Sequence, residues 1–534
     1  MASRDLLHSL HEALFGWVDR IIQEFAFKPE IEYDEEGEQK KVTTGKLWPA
    51  FVSGAGLFSD GYVNNSISTV TTCLSLIYGD RYKNSNAISN ISAIALAGTV
   101  IGQLSFGYIS DHYARRGGML IANIMLISFT LLCAVATWGK TPEGLFTAIT
   151  VFRFFLGIAI GAEYPTSSVI ASEFAHLLPA GHRNRYFVWF TNLAIDVGFV
   201  VASFVPFVCL WIFSPRHLHA IWRITLAFGV LFPFMLFFMR MKIQNSDAFR
   251  KFNMKRVKKF PIWLIVKFYW FRLFIVSIIW FIYDFSAYSF GLYSSFILSV
   301  VLPEGDIYTA WGWNVVFNLF FIPGSMMGGL CSDYLGPRLT LVTGLVLQSC
   351  IGFGLTAGYP HLKQHIAAFV VVYGIFITLG EFGAGNNVGC LASKTSATPI
   401  RGQYYGIASA IGKMGAFVGT YIFPIIIRKH GGYESDTGIQ TAFYVSSASC
   451  LFAAVIALFF LPSIGQDCVE KEDQRFVEYL SAHGYDITLL GDVEVVDKES
   501  EQSDDVDKND HQTTTVAEEK NDTLMTSPEG ETYK

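Results

Sequence analysis

The sequence predicts an all-α membrane protein of about twelve transmembrane helices, arranged as two related six-helix halves. Three observations predict it. Only 16% of the 534 residues are charged and 51% are hydrophobic, whereas a soluble domain is about one quarter charged. The apolar residues gather in stretches of roughly 20 or more, long enough to cross a hydrocarbon core of about 30 Å. One short polar turn also occurs twice, after the second stretch and after the eighth.

The elements follow in order. Residues 1–46 are charged and show no cleavable leader pattern. Within them Leu6, Leu10, Leu14, Val18, Ile21, Ile22 and Phe25 recur at helical spacing, which predicts an amphipathic helix lying on the membrane or on the protein body. Six apolar spans come next, at about 47–77, 87–109, 118–138, 144–172, 186–213 and 219–240. They make a first half over 47–240. A basic linker over 241–263 places Arg250, Lys251, Lys255, Arg256, Lys258 and Lys259 within ten residues. Six further spans, at about 264–301, 310–331, 339–359, 365–392, 402–427 and 441–462, make a second half over 264–462. The segment 463–534 reads as an acidic, largely disordered tail, with fourteen acidic residues against four Lys from Gly491 on.

That tail accounts for the net charge of -6, and the rest of the chain is slightly basic. Nothing points to nucleic acid. Most of the eight Cys (Cys73, Cys133, Cys209, Cys350, Cys390 and Cys450 among them) sit inside apolar spans with no paired spacing, and read as packing residues. No metal-ligand cluster, phosphate-cradling glycine loop or nucleophile elbow is present, so neither enzyme chemistry nor a cofactor or metal is expected. Basic residues concentrate in alternate loops: Arg115 and Arg116, Arg183 and Arg185, the central linker, and Lys394 with Arg401. The positive-inside rule places those loops and both termini in the cytoplasm.

The repeated turn reads Gly107-Tyr-Ile-Ser-Asp111-His-Tyr-Ala-Arg115-Arg116 after span 2 and Gly329-Leu-Cys-Ser-Asp333-Tyr-Leu-Gly336-Pro-Arg338 after span 8. Both set an Asp and then an Arg at a tight turn in matching positions, the mark of two related halves. These loops resemble the signature loop of the major facilitator superfamily, and the resemblance covers nearly all of 47–462. It implies the major facilitator fold. It also implies a gate latch made by Asp111, Arg115, Asp333 and Arg338, in which each Asp meets Arg groups or the N-terminus of a neighbouring helix.

Ionisable side chains inside a membrane cost about 2.5–3.5 kcal/mol on insertion scales, so each needs a partner or a task. Asp60 lies in span 1, with Asn64 one turn on. Arg153 and Glu163 lie in span 4, separated by Gly157 and Gly161, which admit a close neighbouring helix. Asp196 lies in span 5. Trp280, Asp284 and Tyr288 repeat every four residues in span 7 and share a face. Lys413 lies among small residues in span 11. Four acids against two bases is an odd balance for a static network. Carboxyl groups withdrawn from water can bind and release protons near neutral pH, while Arg153 and Lys413 can hold an anion. The set predicts a proton-coupled anion pathway. In its empty state Lys413 is expected to pair with an acid across the interface between the halves, Asp284 first. In the loaded state it would hold the anion between Trp280 and Tyr288.

At these positions the chain resembles the phosphate:proton symporters of the superfamily. The matching residues are Gly161-Ala-Glu163-Tyr164-Pro165, the Trp280, Asp284 and Tyr288 series, Gly412-Lys413 and Asp60. The resemblance implies proton handling by Asp60, Glu163 and Asp284. It implies a phosphate site lined by Arg153, Tyr164, Trp280, Tyr288, Asn386, Asn387 and Lys413. Glu163 stands where those carriers have Asp, Asn192 and Asp196 stand near their Gln, the span 10 Asn is displaced by about one position, and their second span 1 acid is absent. A closer resemblance is to the fungal glycerophosphoinositol and glycerophosphocholine permeases. It rests on Gly161-Ala-Glu-Tyr-Pro-Thr-Ser-Ser, Leu178-Pro-Ala-Gly-His-Arg-Asn-Arg-Tyr186, Lys267-Phe-Tyr-Trp-Phe-Arg272, Ala392-Ser-Lys-Thr-Ser-Ala-Thr398 and Arg401-Gly-Gln-Tyr-Tyr405. It implies proton-coupled uptake of a glycerophosphodiester by a monomer in the plasma membrane. The partners are then a small anionic organic phosphate, protons and the lipid bilayer. A sugar symporter is disfavoured, because the chain reads Arg240-Met-Lys-Ile-Gln-Asn245 where those carriers have Pro-Glu-Ser-Pro-Arg. An inorganic phosphate:proton symporter and a nutrient-sensing receptor with little transport are the alternatives.

Overall fold

The computed structural model describes residues 44–490, apart from 84, 114, 255–256, 258–260, 302–305, 433–434 and 466–467. The predicted helix at Leu6–Phe25 and the acidic stretch from Gly491 lie outside the described residues.

Twelve helical spans run through the described residues. Span 1 is Thr44–Gly54, a 3-10 turn at Ala55–Leu57, then Phe58–Tyr78. Spans 2 and 3 are Ala87–His112 and Arg115–Ala134. Spans 4, 5 and 6 are Pro142–His176, Arg183–Phe213 and Pro215–Arg240. Span 7 is Ile262–Val301. Spans 8 to 12 are Ile307–Tyr334, Gly336–Leu362, Ile366–Lys394, Thr398–Lys429 and Asp436–Phe460. Eleven of the twelve are apolar enough to cross a membrane by composition. Span 1 falls short because Asp60, Asn64, Asn65 and many Ser and Thr interrupt it, and polar residues inside a membrane mark a protein-facing surface. Outward faces instead carry exposed apolar side chains such as Ile101, Leu104, Phe204, Phe274 and Phe452, as lipid contact requires.

Local chemistry sets the ends. The Thr141 hydroxyl accepts from the Gly144 amide, and Pro142 occupies the first turn of span 4, where no amide donor is needed. Further along span 4, a Cβ on Gly157 or Gly161 would collide with the Ala95 and Thr99 carbonyls of span 2, so these glycines permit the close approach of the two spans. The halves meet along spans 2 and 11 and along spans 5 and 8.

One element departs from expectation. Residues 463–534 were expected to be largely disordered, yet Cys468–Ala482 form a helix that buries Val469, Phe476, Val477 and Leu480. Phe476 packs against Tyr269, with centroids 5.7 Å apart. Glu472 pairs with Arg272 at 2.7 Å. Asp473 accepts from the Thr398 amide and hydroxyl, both at 2.6 Å. The acidic composition had hidden an apolar stripe at helical spacing.

Candidate functional site

Between the halves lies a cavity of about 1040 Å³, counting the part open to solvent, lined by spans 1, 4, 5, 7, 8, 10 and 11. The four-residue spacing in span 7 brings Trp280, Asp284 and Tyr288 to its wall. Lys413 of span 11 faces them. Its Nζ lies 3.2 Å from Asp284 Oδ2 and donates to the Tyr288 hydroxyl. The same ammonium stands 3.9 Å from the Tyr288 ring centre and 5.2 Å from that of Tyr164. Lys413 and Asp284 are each only 2% exposed, so each compensates a charge the other could not carry alone. Gly412 makes room for the Trp280 indole, which a Cβ there would strike. The expected pairing across the interface is corrected: spans 7 and 11 both belong to the second half. What Lys413 meets from the first half is the Tyr164 ring.

Asp60 sits just behind the cavity wall. It accepts from the Asn64 amide at 2.5 Å and from the Tyr164 hydroxyl, and both of those partners line the cavity. Tyr164 opens a π-helical turn, Tyr164–Ser168, where Pro165 breaks the regular ladder. Span 10 carries a matching π turn at Glu381–Gly385. Each half therefore distorts its helix at an equivalent place, beside the cavity.

A second polar group lines the cavity; the sequence reading named its Asn192, Asp196 and Asn386 but not Glu381, Tyr283 or Ser325. The Asn192 amide of span 5 donates to Glu381 Oε2 at 2.9 Å, Asn386 Oδ1 at 2.9 Å and Ser325 Oγ at 3.2 Å. Tyr283 donates to Glu381 Oε1 at 3.0 Å, and Asp196 accepts from Ser325. Asn65 reaches across the halves to Asn318 at 2.9 Å. Glu381 carried the same signal that singled out Asp60, an acid inside an apolar span, and could have been found by it.

Four expected site residues do not line the cavity: Asp60, just behind its wall, and Glu163, Arg153 and Asn387. Glu163 is held by Arg240 in a two-pronged pair at 2.7 and 2.9 Å, with Ser167 donating to it. Arg240 also donates to the Val52 and Ser53 carbonyls, so the end of span 6 locks span 4 to span 1. Arg153 lies buried within the first half, with Tyr82 and Cys133 as its electrostatic neighbours. Asn387 turns its amide back onto the Gly383 carbonyl of its own helix at 2.8 Å, while Asn386 does line the cavity.

The end of the bundle that bears the central linker is closed. Asp111 accepts from the Gly402 and Gln403 amides at 2.9 and 2.7 Å, at the start of the helix Arg401–Lys429. Asp333 accepts from the Asn184 and Arg185 amides at 3.0 and 3.3 Å, at the start of span 5. Each carboxylate thus sits on the N-terminus of a helix from the opposite half, where unpaired amides and the helix dipole favour an anion. Arg115 joins Asp111 at 3.5 Å and pairs with Glu173, which Arg401 approaches to 3.3 Å. Arg338 is not across this gate; it donates to the Leu458 carbonyl on span 12, and Arg185 supplies the guanidinium to Asp333 at 3.2 Å.

A central cavity shared by two repeated halves, closed at one end by paired latches, defines a secondary transporter of the major facilitator type. The Sugar (and other) transporter family matches residues 47–259 and the Major Facilitator Superfamily matches 285–476. The chain is 60% identical to a glycerophosphocholine permease of Candida albicans, over 94% of this chain and 96% of that one. It is 58% identical to the major glycerophosphoinositol permease of the same organism, over 95% and 98%. It is 33% identical to glycerophosphoinositol transporter 1 of Saccharomyces cerevisiae, over 85% and 88%. The chain belongs to this family of glycerophosphodiester permeases within the major facilitator superfamily. Among solved structures, the proton:xylose symporter XylE has the same fold, with a TM-score of 0.65 at 17% identity, covering 81% of this chain and 98% of that one.

Proposed function

We propose that this protein takes up a glycerophosphodiester together with protons by alternating access. The observation that carries the reading is Lys413, the one basic residue lining the cavity among the described residues. A phosphodiester has a single negative charge, which one ammonium and surrounding amide donors satisfy without an Arg cage. Asn64, Asn65, Asn192, Asn318 and Asn386 supply such amides at the wall. The relatives named for glycerophosphocholine and glycerophosphoinositol support the same substrate class.

In the empty site Asp284 holds Lys413. A proton on Asp284 weakens that pair and frees the ammonium for the diester oxygens, so proton and anion enter together. Asp60 takes a second proton role through Tyr164, which touches both it and Lys413. Glu163 joins only when its pair with Arg240 parts. Inward opening requires release of Asp111 and Asp333 from their helix N-termini. The lysine- and arginine-rich loops support a reading with this gate and both termini on the cytoplasmic side of the plasma membrane, and a monomer as the working unit.

Uptake of labelled glycerophosphocholine, glycerophosphoinositol and inorganic phosphate, measured side by side at two external pH values, tests the reading. Diester uptake that rises as external pH falls is expected. Uptake of inorganic phosphate alone would sink it.

A further inference from the structure

Asp196 of span 5 and Glu381 of span 10 come from opposite halves to one corner of the cavity. They act on each other electrostatically, yet neither forms an ion pair with any described residue. Glu381 has both oxygens occupied, by Tyr283 and Asn192. Asp196 does not: Oδ2 accepts from Ser325, while Oδ1 has no partner although the residue is 1% exposed. A buried carboxylate oxygen left without a donor is costly, and it is compensated either by a proton or by a group of the molecule that fills the cavity.

The walls of this corner are aromatic. Phe199 lies three residues beyond Asp196, and Phe321 lies four residues before Ser325, so each ring stands one helical turn from the acid group. The two rings meet edge to face at 5.0 Å, and both line the cavity with Tyr283. Rings and uncompensated carboxylates together favour a cationic group with apolar substituents, because ring faces attract positive charge. A neutral polyol gains nothing comparable from the ring faces, although Asn192, Asn386 and Ser325 beside the acids offer it hydrogen bonds. Tyr164 and Tyr288, which also line the cavity, face the Lys413 ammonium.

The geometry points to a cation subsite formed by Asp196, Glu381, Tyr283, Phe199 and Phe321, which takes the substituted ammonium head of a zwitterionic glycerophosphodiester. This rests on the reading of Lys413 as the phosphate anchor. The site is then bipolar, with the phosphodiester at Lys413 and the ammonium at Asp196 and Glu381. A choline-bearing diester matches both ends, and an inositol-bearing diester matches one.

The test compares kcat/KM for labelled glycerophosphocholine and glycerophosphoinositol in cells carrying the wild type, Asp196→Asn, Glu381→Gln or Phe199→Leu at matched surface amounts. The expected result is a fall of at least about tenfold in the choline-to-inositol ratio for either acid variant, and a smaller fall in the same direction for Phe199→Leu. Phe199→Leu keeps an apolar side chain, so it decides the matter if the acid variants fail to reach the membrane. A ratio unchanged in the variants overturns the subsite. So does loss of proton-driven accumulation of both diesters with the ratio intact, which would make the pair a proton carrier. A wild type that carries neither diester overturns the Lys413 reading itself; a wild type that carries both, with variants that do not discriminate, overturns only the subsite.

Discussion

Lys413 is enclosed by Asp284, Tyr288 and the Tyr164 ring, and its replacement has distinguishable consequences. Lys413→Ala leaves Asp284 buried without its cation and removes the proposed anion anchor. Truncating one member of such a pair costs about 2–5 kcal/mol, so diester uptake should fall by at least about 30-fold with protein still at the membrane. Lys413→Arg should restore uptake only in part, because the planar fork does not fit a pocket shaped for a compact ammonium. Normal KM and rate in surface-expressed Lys413→Ala would make the lysine structural. This pair was legible in the sequence, because both charges lie deep in apolar spans and Asp284 shares its face with Trp280 and Tyr288. The Glu163–Arg240 pair was not legible. Arg240 ends its span and reads as a boundary charge, so nothing in the sequence shows that it reaches Glu163. Arg240→Ala should destabilise the fold by about 3–5 kcal/mol in thermal unfolding, since it strands a buried carboxylate. Glu163→Gln separates structure from coupling. Loss of accumulation with exchange preserved supports a proton role for Glu163, and a lowered melting temperature with accumulation intact assigns it to structure alone.

At the scale of elements, the two π turns at Tyr164–Ser168 and Glu381–Gly385 show how each half turns side chains toward the cavity. Pro165 announces the first; the second has no proline, only a glycine-rich stretch, which composition alone does not resolve into a π turn. Where span 11 passes span 7, Gly412 lies against Trp280. Gly412→Val should displace the indole, and uptake should be lost while Gly412→Ala retains part of it; equal, normal uptake in both would show that the contact yields freely. The helix Cys468–Ala482 was obscured because its acids face water or partners while four apolar residues face the protein. It touches the second half through Thr398 and Arg272, and Glu470 reaches His176 of the first half at 3.2 Å.

Across the whole molecule, the repeated turn in the sequence becomes a pseudo-symmetric closure, with Asp111 on one helix start and Asp333 on the other. Sequence spacing showed the repeat, but it could not show which amides each carboxylate would meet, because those lie 148 to 292 residues away. Asp111→Asn and Asp333→Asn each remove a full charge from a helix N-terminus, an interaction of about 0.3–2 kcal/mol. Together they should favour the state open at this end, read as faster labelling of a cysteine introduced into the cavity from the linker side. Unchanged labelling would show that other contacts keep the gate shut. The measurement that bears most directly on the central claim uses purified protein in liposomes with an imposed pH gradient, acid on the side of uptake, and labelled glycerophosphocholine. The expected result is accumulation above the external concentration, collapse on adding a protonophore, and no accumulation by Lys413→Ala. Accumulation indifferent to the gradient, or undiminished in Lys413→Ala, would contradict it.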